Sequence, residues 1–281
     1  MTTHNIRVLQ LEELEIIKEI KRICDKFNLT YYISGGTFLG AVRHKGFIPW
    51  DDDADIAMPR SDYNKFLKIV ENETSYQLVH YKSKNKWHHY HARLVNNHAN
   101  VYVISNASKT ANTWYPWVDI FPLDGMPNNK LLMNIHKFRL LSRRAILKFS
   151  CFSYVVDVKL KDRPFIERLL IGIGEHINLE KYIDTTKQLQ KLDKLLSKYS
   201  RDKSKIYMNF MGSYKFKSII NKEIYGKGRY YDFEGIKLFG PENYDKYLTI
   251  IYGDYMKIPP QDSQNKHSTN IVIKDNYKEA L

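Results

Sequence analysis

The stretch Ser34-Gly35-Gly36-Thr37-Phe38-Leu39-Gly40-Ala41-Val42 and, after a short loop, Pro49-Trp50-Asp51-Asp52-Asp53-Ala54-Asp55-Ile56-Ala57-Met58 decides how the chain is read. The apolar run Tyr31-Tyr32-Ile33 enters a glycine pair that opens a second apolar run, which reads as strand, tight turn and helix start. A glycine turn at a helix N-terminus offers backbone N–H groups to phosphate, which makes Gly35, Gly36 and Thr37 candidate phosphate contacts. Four carboxylates then fall within five positions, ahead of an apolar segment that predicts a strand over Asp53–Met58. Side chains alternate along a strand, so Asp53 and Asp55 are expected on one face. Two like charges on one face call for a cation, and a phosphate cradle beside them suits metal-assisted phosphoryl chemistry.

Outward from this stretch, the 281 residues are enough for one large domain or two small ones, and 43% apolar with 27% charged residues is globular composition. The formal charge of +13 implies an anionic partner: a nucleotide, a charged glycan, a membrane face or nucleic acid. With only Cys24 and Cys151, a disulfide framework and a four-cysteine zinc site are excluded. The start, Met1-Thr2-Thr3-His4, has no basic-then-apolar signal pattern, and no apolar run reaches transmembrane length. A cytoplasmic protein is expected, with attachment to the inner membrane face left open.

Leu14, Ile17, Ile20, Cys24 and Phe27 recur at helical spacing, and Ser61-Asp62 is read as the cap of a helix carrying Tyr63, Phe66, Leu67 and Val70. β-like segments follow at 76–79, 89–95 and 101–104, and the run from Trp114 to Pro122 adds another short strand, with Asp119 between apolar residues. Helical sequence occupies 130–149 and 165–200; Arg229–Phe233 and Ile236–Phe239 flank a hairpin turn, and a helix is expected from Asn243 to Tyr252. The pattern is α+β, divided at about residue 128 into a catalytic core (1–128) and a mainly helical region with a C-terminal hairpin–helix (129–281) packed on it.

Asp53, Asp55 and Asp119 form the strongest constellation, able to hold one or two Mg²⁺ ions, with Mn²⁺ a substitute. The bland alternative is a solvated acidic loop. Arg43, His44, Lys45 and Arg60 flank the cradle, and Arg93 lies on a β-like segment beyond it; each is a candidate phosphate ligand or plain surface charge. His88, His89 and His91 lack the further ligands of a transition-metal site and read as polar strand residues or substrate contacts.

The run Gly35 to Arg60, with Gly35-Gly36, Asp53-Ala54-Asp55 and then Val118-Asp119-Ile120 in order, resembles the signature of the LicD family. The runs Asp119–Asp124, Asn243–Asp245 and Tyr252–Pro260 resemble further features of that family, whereas 130–225 matches nothing nameable. The resemblance implies a nucleotidyltransferase-like core with a mixed sheet flanked by helices. It implies Mg²⁺-dependent transfer of a phospho-alcohol, phosphocholine foremost, from a CDP-activated donor to a hydroxyl of a cell-surface glycan such as capsule, teichoic acid or lipopolysaccharide. Asp53 and Asp55 would hold the metal and Asp119 would be a third ligand or the base. His267 falls where the family often carries histidine, and Trp50 belongs to the signature. With Trp87, Trp114, Tyr115 and Trp117, Trp50 also suggests a cage for a quaternary ammonium. The acceptor would be a glycan or lipid-linked glycan; nucleic acid is not expected, since no RRM-like motif is present. The rival readings are a nucleotidyltransferase acting on a small molecule or RNA, and an inactive glycan- or headgroup-binding protein.

Overall fold

The computed structural model describes residues 3–83, 88–105, 112–156, 165, 168–169, 171–172, 179–200, 203–261, 264 and 269–274. The first helix, α1 (Thr3–Lys26), buries Leu9, Leu14, Ile16, Ile17, Ile20, Ile23 and Cys24 along its inner face. It ends before Asn28, whose φ of 50° breaks the helical path, and Phe27 leaves the apolar stripe at 38% exposure. The strand β1 (Tyr32–Ile33) then runs into α2 (Gly35–Arg43), and β2 (Asp55–Pro59) into α3 (Arg60–Glu73). Because α3 starts directly after Pro59, Ser61 and Asp62 lie inside its first turn and do not cap it; Asp62 accepts from the Thr30 N–H at 3.3 Å instead.

The strands β3 (Gln77–Val79), β4 (Ala92–Val95), β5 (Val101–Ser105), β6 (Asn112–Trp114) and β7 (Trp117–Gly125) follow. All nine residues of β7 are buried, the near-continuous apolar run expected of a strand covered on both faces. The main sheet is mixed, in the order β1–β2–β7–β4–β3, with β2 parallel to β7 and the other pairs antiparallel. The register of β2 on β7 sets Asp55 beside Asp119, so the two side chains share a sheet face.

Beyond the sheet, α4 (Lys130–Ser150) and the short α5 (Phe152–Val155) precede α6 (Thr185–Leu196). Leu140 and Leu147 of α4 pack with Leu189, Leu192 and Leu196 of α6 in a second apolar cluster. The chain then returns to the sheet: β8 (Ile206–Met208) extends the end of β7 through Asp124↔Met208 and pairs in turn with β9 (Ile219–Asn221). After α7 (Lys222–Tyr225), β10 (Arg229–Phe233) and β11 (Ile236–Gly240) form the expected hairpin, turning at Glu234 and Gly235, both at positive φ. The last helix, α8 (Tyr244–Tyr252), is capped by Asn243, which accepts from the Lys246 N–H at 3.1 Å. A final strand, β12 (Thr269–Ile273), closes a small sheet on β5 and β6. The fold is α+β, and among the described residues no helix is long and apolar enough to cross a membrane.

Candidate functional site

The site grows from the contact between α2 and β2. Ser34 donates its N–H to the Asp55 carbonyl at 3.0 Å, and Asp55 returns its own N–H to Thr37 Oγ1 at 2.8 Å. A Cβ at Gly35 would lie 2.3 Å from Asp55 Oδ2, and one at Gly36 2.2 Å from Asp51 Oδ2. Only glycine lets the first turn of α2 approach both carboxylates so closely, and Gly35 also takes a φ of 55°. The positive end of the helix dipole then faces the acidic group. Gln10, buried on α1, holds the loop by donating to the carbonyls of Ile48 and Asp51, both at 3.0 Å.

Asp53 lies just outside β2, which begins at Asp55 rather than at Asp53, so strand alternation does not place it. The ladder opens with the Asp119 N–H donating to the Ala54 carbonyl at 2.9 Å, which leaves Asp53 ahead of the first bridge. Asp53 is instead gathered by the loop: Asp51, Asp52 and Asp53 each offer a carboxylate oxygen, all within 4.8 Å of one another. Such an all-oxygen donor set suits a hard divalent cation, so these residues with Asp55 could hold Mg²⁺ or Mn²⁺. Nearby Glu13 is fully buried, and burial first, then the charges of Asp53, Asp52 and Asp51, push its carboxyl well above the usual range.

Asp119 stands in a different environment. Arg93 Nε reaches its Oδ1 at 2.6 Å, Trp117 Nε1 donates to Oδ2 at 3.2 Å, and His91 Nε2 lies 3.0 Å from Oδ1. Burial alone would raise its pKa, but Arg93 and His91 outweigh it and hold the carboxyl well below the usual range. Arg93 and His91 thus favour the carboxylate form of Asp119 and fix its position.

Two clefts meet at Asp53 and Asp55. One, of about 510 Å³, is lined by Gly36, Arg43, Trp50, Asp51, Asp52, Asp254, Lys257 and the tyrosines Tyr214, Tyr252 and Tyr255. The other, of about 310 Å³, is lined by Gly35, Asp119, His88, His89, His91, Arg144, Lys148 and Asn209. The first is acidic and aromatic; the second combines the cations Arg144 and Lys148 with Asp53, Asp55 and Asp119.

The expected residues therefore divide. Asp53, Asp55, Asp119, Gly35, Gly36, Arg43 and Trp50 all line these clefts, and Arg43 is anchored there by donating to the Tyr255 carbonyl at 2.8 Å. Thr37 is buried as the support of Asp55. His44 packs against Trp50, Lys45 turns the loop at a φ of 59°, and neither lines a cleft. Arg60 is placed away from the cradle, because Asp124 takes it bidentately at 2.7 and 2.6 Å and Asp193 takes it at 3.1 Å. Arg93 serves Asp119 and lies 4.3 Å from the Trp117 ring centre and 5.6 Å from that of Trp114. Those two tryptophans thus hold Arg93, and Tyr115 packs on Tyr102; the aromatic wall of the first cleft is Trp50 with Tyr214, Tyr252 and Tyr255. His267 and Trp87 lie outside the described residues. Sequence reasoning gave no site role to Tyr214, Tyr252, Tyr255, Glu13, Arg144 or Lys148.

Comparison with known proteins bears on the whole arrangement. Residues 28–167 match the family model described as LicD/FKTN/FKRP, nucleotidyltransferase domain. The lipopolysaccharide cholinephosphotransferase LicD of Haemophilus influenzae is 30% identical over 270 residues, covering 93% of this chain and 95% of the relative. Shorter matches occur to uncharacterised proteins of Rickettsia typhi (39% identical over 70 residues, 24% of this chain and 23% of the relative) and Caenorhabditis elegans (33% over 70 residues, 24% and 18%). With a relative matched over nearly its entire length and a family model spanning the α2–β2 cradle and β7, the chain belongs to the LicD family.

Proposed function

We propose that this protein is a cholinephosphotransferase that moves phosphocholine from CDP-choline to a hydroxyl of a lipopolysaccharide-type glycan, on a nucleotidyltransferase-like core. The observation that carries this is the pairing of two unlike clefts across one carboxylate group, in a chain similar over 93% of its length to a lipopolysaccharide cholinephosphotransferase. The first cleft suits a quaternary ammonium: Trp50, Tyr214, Tyr252 and Tyr255 offer aromatic faces, and Asp254, outside the metal-binding carboxylates, offers negative charge. In the second, Arg144 and Lys148 suit the phosphates of the nucleotide half.

In this reading the acceptor hydroxyl gives up its proton, finally to solvent, as its oxygen forms a bond to the phosphorus that carries choline; the bond from that phosphorus to the CMP oxygen breaks, and CMP leaves with the electron pair. Asp51, Asp53 and Asp55 would hold Mg²⁺, which when bound neutralises the charge that develops on the phosphoryl oxygens. Asp119, fixed by Arg93 and His91 on the same sheet face as Asp55, would be a third ligand of the metal or the base for the acceptor hydroxyl. A nucleotide donor and a lipid-linked glycan acceptor would place the reaction at the cytoplasmic face of a membrane.

The test is incubation with Mg²⁺, a glycan acceptor and, in turn, CDP-choline, CDP-ribitol, CDP-glycerol and ATP, with products identified by mass. Acceptor-dependent CMP release from CDP-choline is expected, and Asp53→Asn or Asp55→Asn should lower it at least ~10²-fold with the fold intact, as for loss of a preorganised electrostatic group. Pyrophosphate release from ATP, or a near-normal rate in Asp53→Asn, would overturn the proposal.

A further inference from the structure

The helix α4 is apolar on two sides. Its inner side buries His136, Leu140, Leu147 and Ser150. Its outer side nevertheless exposes Leu131 (69%), Phe138 (71%), Leu132, Ile135, Leu141 and Ile146. Leu131, Ile135, Phe138 and Ser142 follow one another at spacings of three and four, so they form one outward stripe. The comparison with α1 is informative: that helix is longer, yet of its described large apolar side chains only Leu11 is exposed. Folding does not need the outer stripe of α4, and exposing it costs solubility unless something covers it.

The charges around the stripe say what covers it. α4 carries Lys130, Lys137, Arg139, Arg143, Arg144 and Lys148 and no carboxylate. Beside the stripe runs a groove of about 720 Å³ whose rim, Arg139, Arg143, Lys191, Lys194 and Lys198, holds five cations and no acid. Phe138 and Ile146 line the same groove. Basic flanks around an apolar stripe are the pattern of a helix that lies in the headgroup region of a membrane. A second copy of the chain is a poor cover, because a twofold contact would set this cationic rim against itself.

We infer that the outer face of α4, with the lysines of α6, is a docking surface for a bilayer containing anionic phospholipid. The inference stands apart from the identity of the transferred group and deepens the proposed reaction in one respect. Arg144, Leu147 and Lys148, on the other side of the same helix, line the second cleft. Docking through α4 therefore sets that cleft about one helix diameter, ~10 Å, from the headgroups, where a lipid-linked acceptor presents its glycan.

The experiment is co-sedimentation of the full chain with vesicles of phosphatidylcholine alone or with 30 mol% phosphatidylglycerol, alongside light scattering in solution and CMP release with a water-soluble acceptor. Binding to the anionic vesicles is expected, falling steeply with added salt. Leu131→Glu with Phe138→Glu should weaken it at least tenfold, and Arg139→Gln or Arg143→Gln about fivefold each. Both positions of the double variant are solvent-exposed, so its circular dichroism and its activity on the soluble acceptor should match the parent. Equal binding to neutral vesicles, no binding to either, or unchanged binding of both variant types would overturn the inference. So would a dimer that dissociates on the double substitution, which would make a second copy the cover. Loss of CDP-choline turnover in the parent would instead count against the proposed reaction and leave the vesicle result standing.

Discussion

Replacing Arg60 with methionine separates a structural role from a substrate-binding one. The guanidinium spans Asp124 at 2.7 and 2.6 Å, Asp193 at 3.1 Å and the Tyr90 hydroxyl at 2.6 Å. Asp124 is only 2% exposed, so removing Arg60 leaves a charge stranded in the interior. Breaking such a pair from one side costs about 3–5 kcal/mol. For a urea slope of about 3 kcal/mol/M, the unfolding midpoint should fall by about 1–1.7 M at pH 7.5. The loss should depend on pH in a particular sense. Burial already raises the Asp124 pKa against the pull of Arg60, and without Arg60 it rises further. A carboxyl whose folded pKa exceeds its unfolded value contributes stability that is complete below the unfolded value and lost as pH rises through the folded one. Arg60→Met should therefore be less destabilised at pH 5 than at pH 8. Adding Asp124→Asn should return about 2 kcal/mol at pH 7.5. CMP release per folded molecule should stay close to the parent's. An unchanged urea midpoint with a raised KM for the donor would refute the structural reading and return Arg60 to the phosphates.

Gly40→Ala would place a Cβ 2.4 Å from the Gly46 carbonyl, a backbone atom that moves only with the loop; a loss of about 2 kcal/mol and a Tm lower by about 4–8 °C are expected, and a melt unchanged within 1 °C would contradict it. Trp50→Ala should raise the KM for CDP-choline about tenfold and that for CDP-glycerol less than threefold, since only choline presents a cation to the ring; equal effects on both donors would remove Trp50 from choline recognition. Burial would raise the Asp193 pKa, but hydrogen bonds from Lys82 and Tyr90 and the charge of Arg60 outweigh it and bring it down to about 2. Its contribution to stability is then present above its unfolded value of about 3.9 and lost as pH falls towards 2, so Asp193→Asn should flatten this part of the acid-unfolding curve followed by circular dichroism.

The parts of the fold that were legible in the sequence are those whose cause is local. Glycines at the start of α2, an acid between apolar residues on β7, and the Glu234-Gly235 turn each act within a few residues. Asp53 shows the limit of that reasoning, since its place depends on where the β2 ladder begins. The partners of Arg60 lie 64 and 133 positions away, and nothing near it in sequence shows that Asp124 and Asp193 claim it. The aromatic residues divide in the same way. Trp114 and Trp117 lie near Asp119 in sequence and pack on its partner Arg93 rather than lining the aromatic cleft. Tyr252 and Tyr255, remote in sequence, reach the cleft because α8 packs beside α2, with Tyr247 against Phe38.

That last packing has a consequence for the birth of the protein. Ser34 meets Tyr247 across 213 positions at 3.4 Å, and Arg43 meets Tyr255 across 212. At a translation rate of about 5–20 residues per second, the acidic loop emerges about 10–40 s before the tyrosines that wall its cleft. Through that interval the nascent chain carries its carboxylates on an unfinished surface. Ribosome-bound chains halted before Tyr252 should therefore hold the donor weakly, and the emergence of Tyr252 and Tyr255 sets the moment at which the cleft is walled.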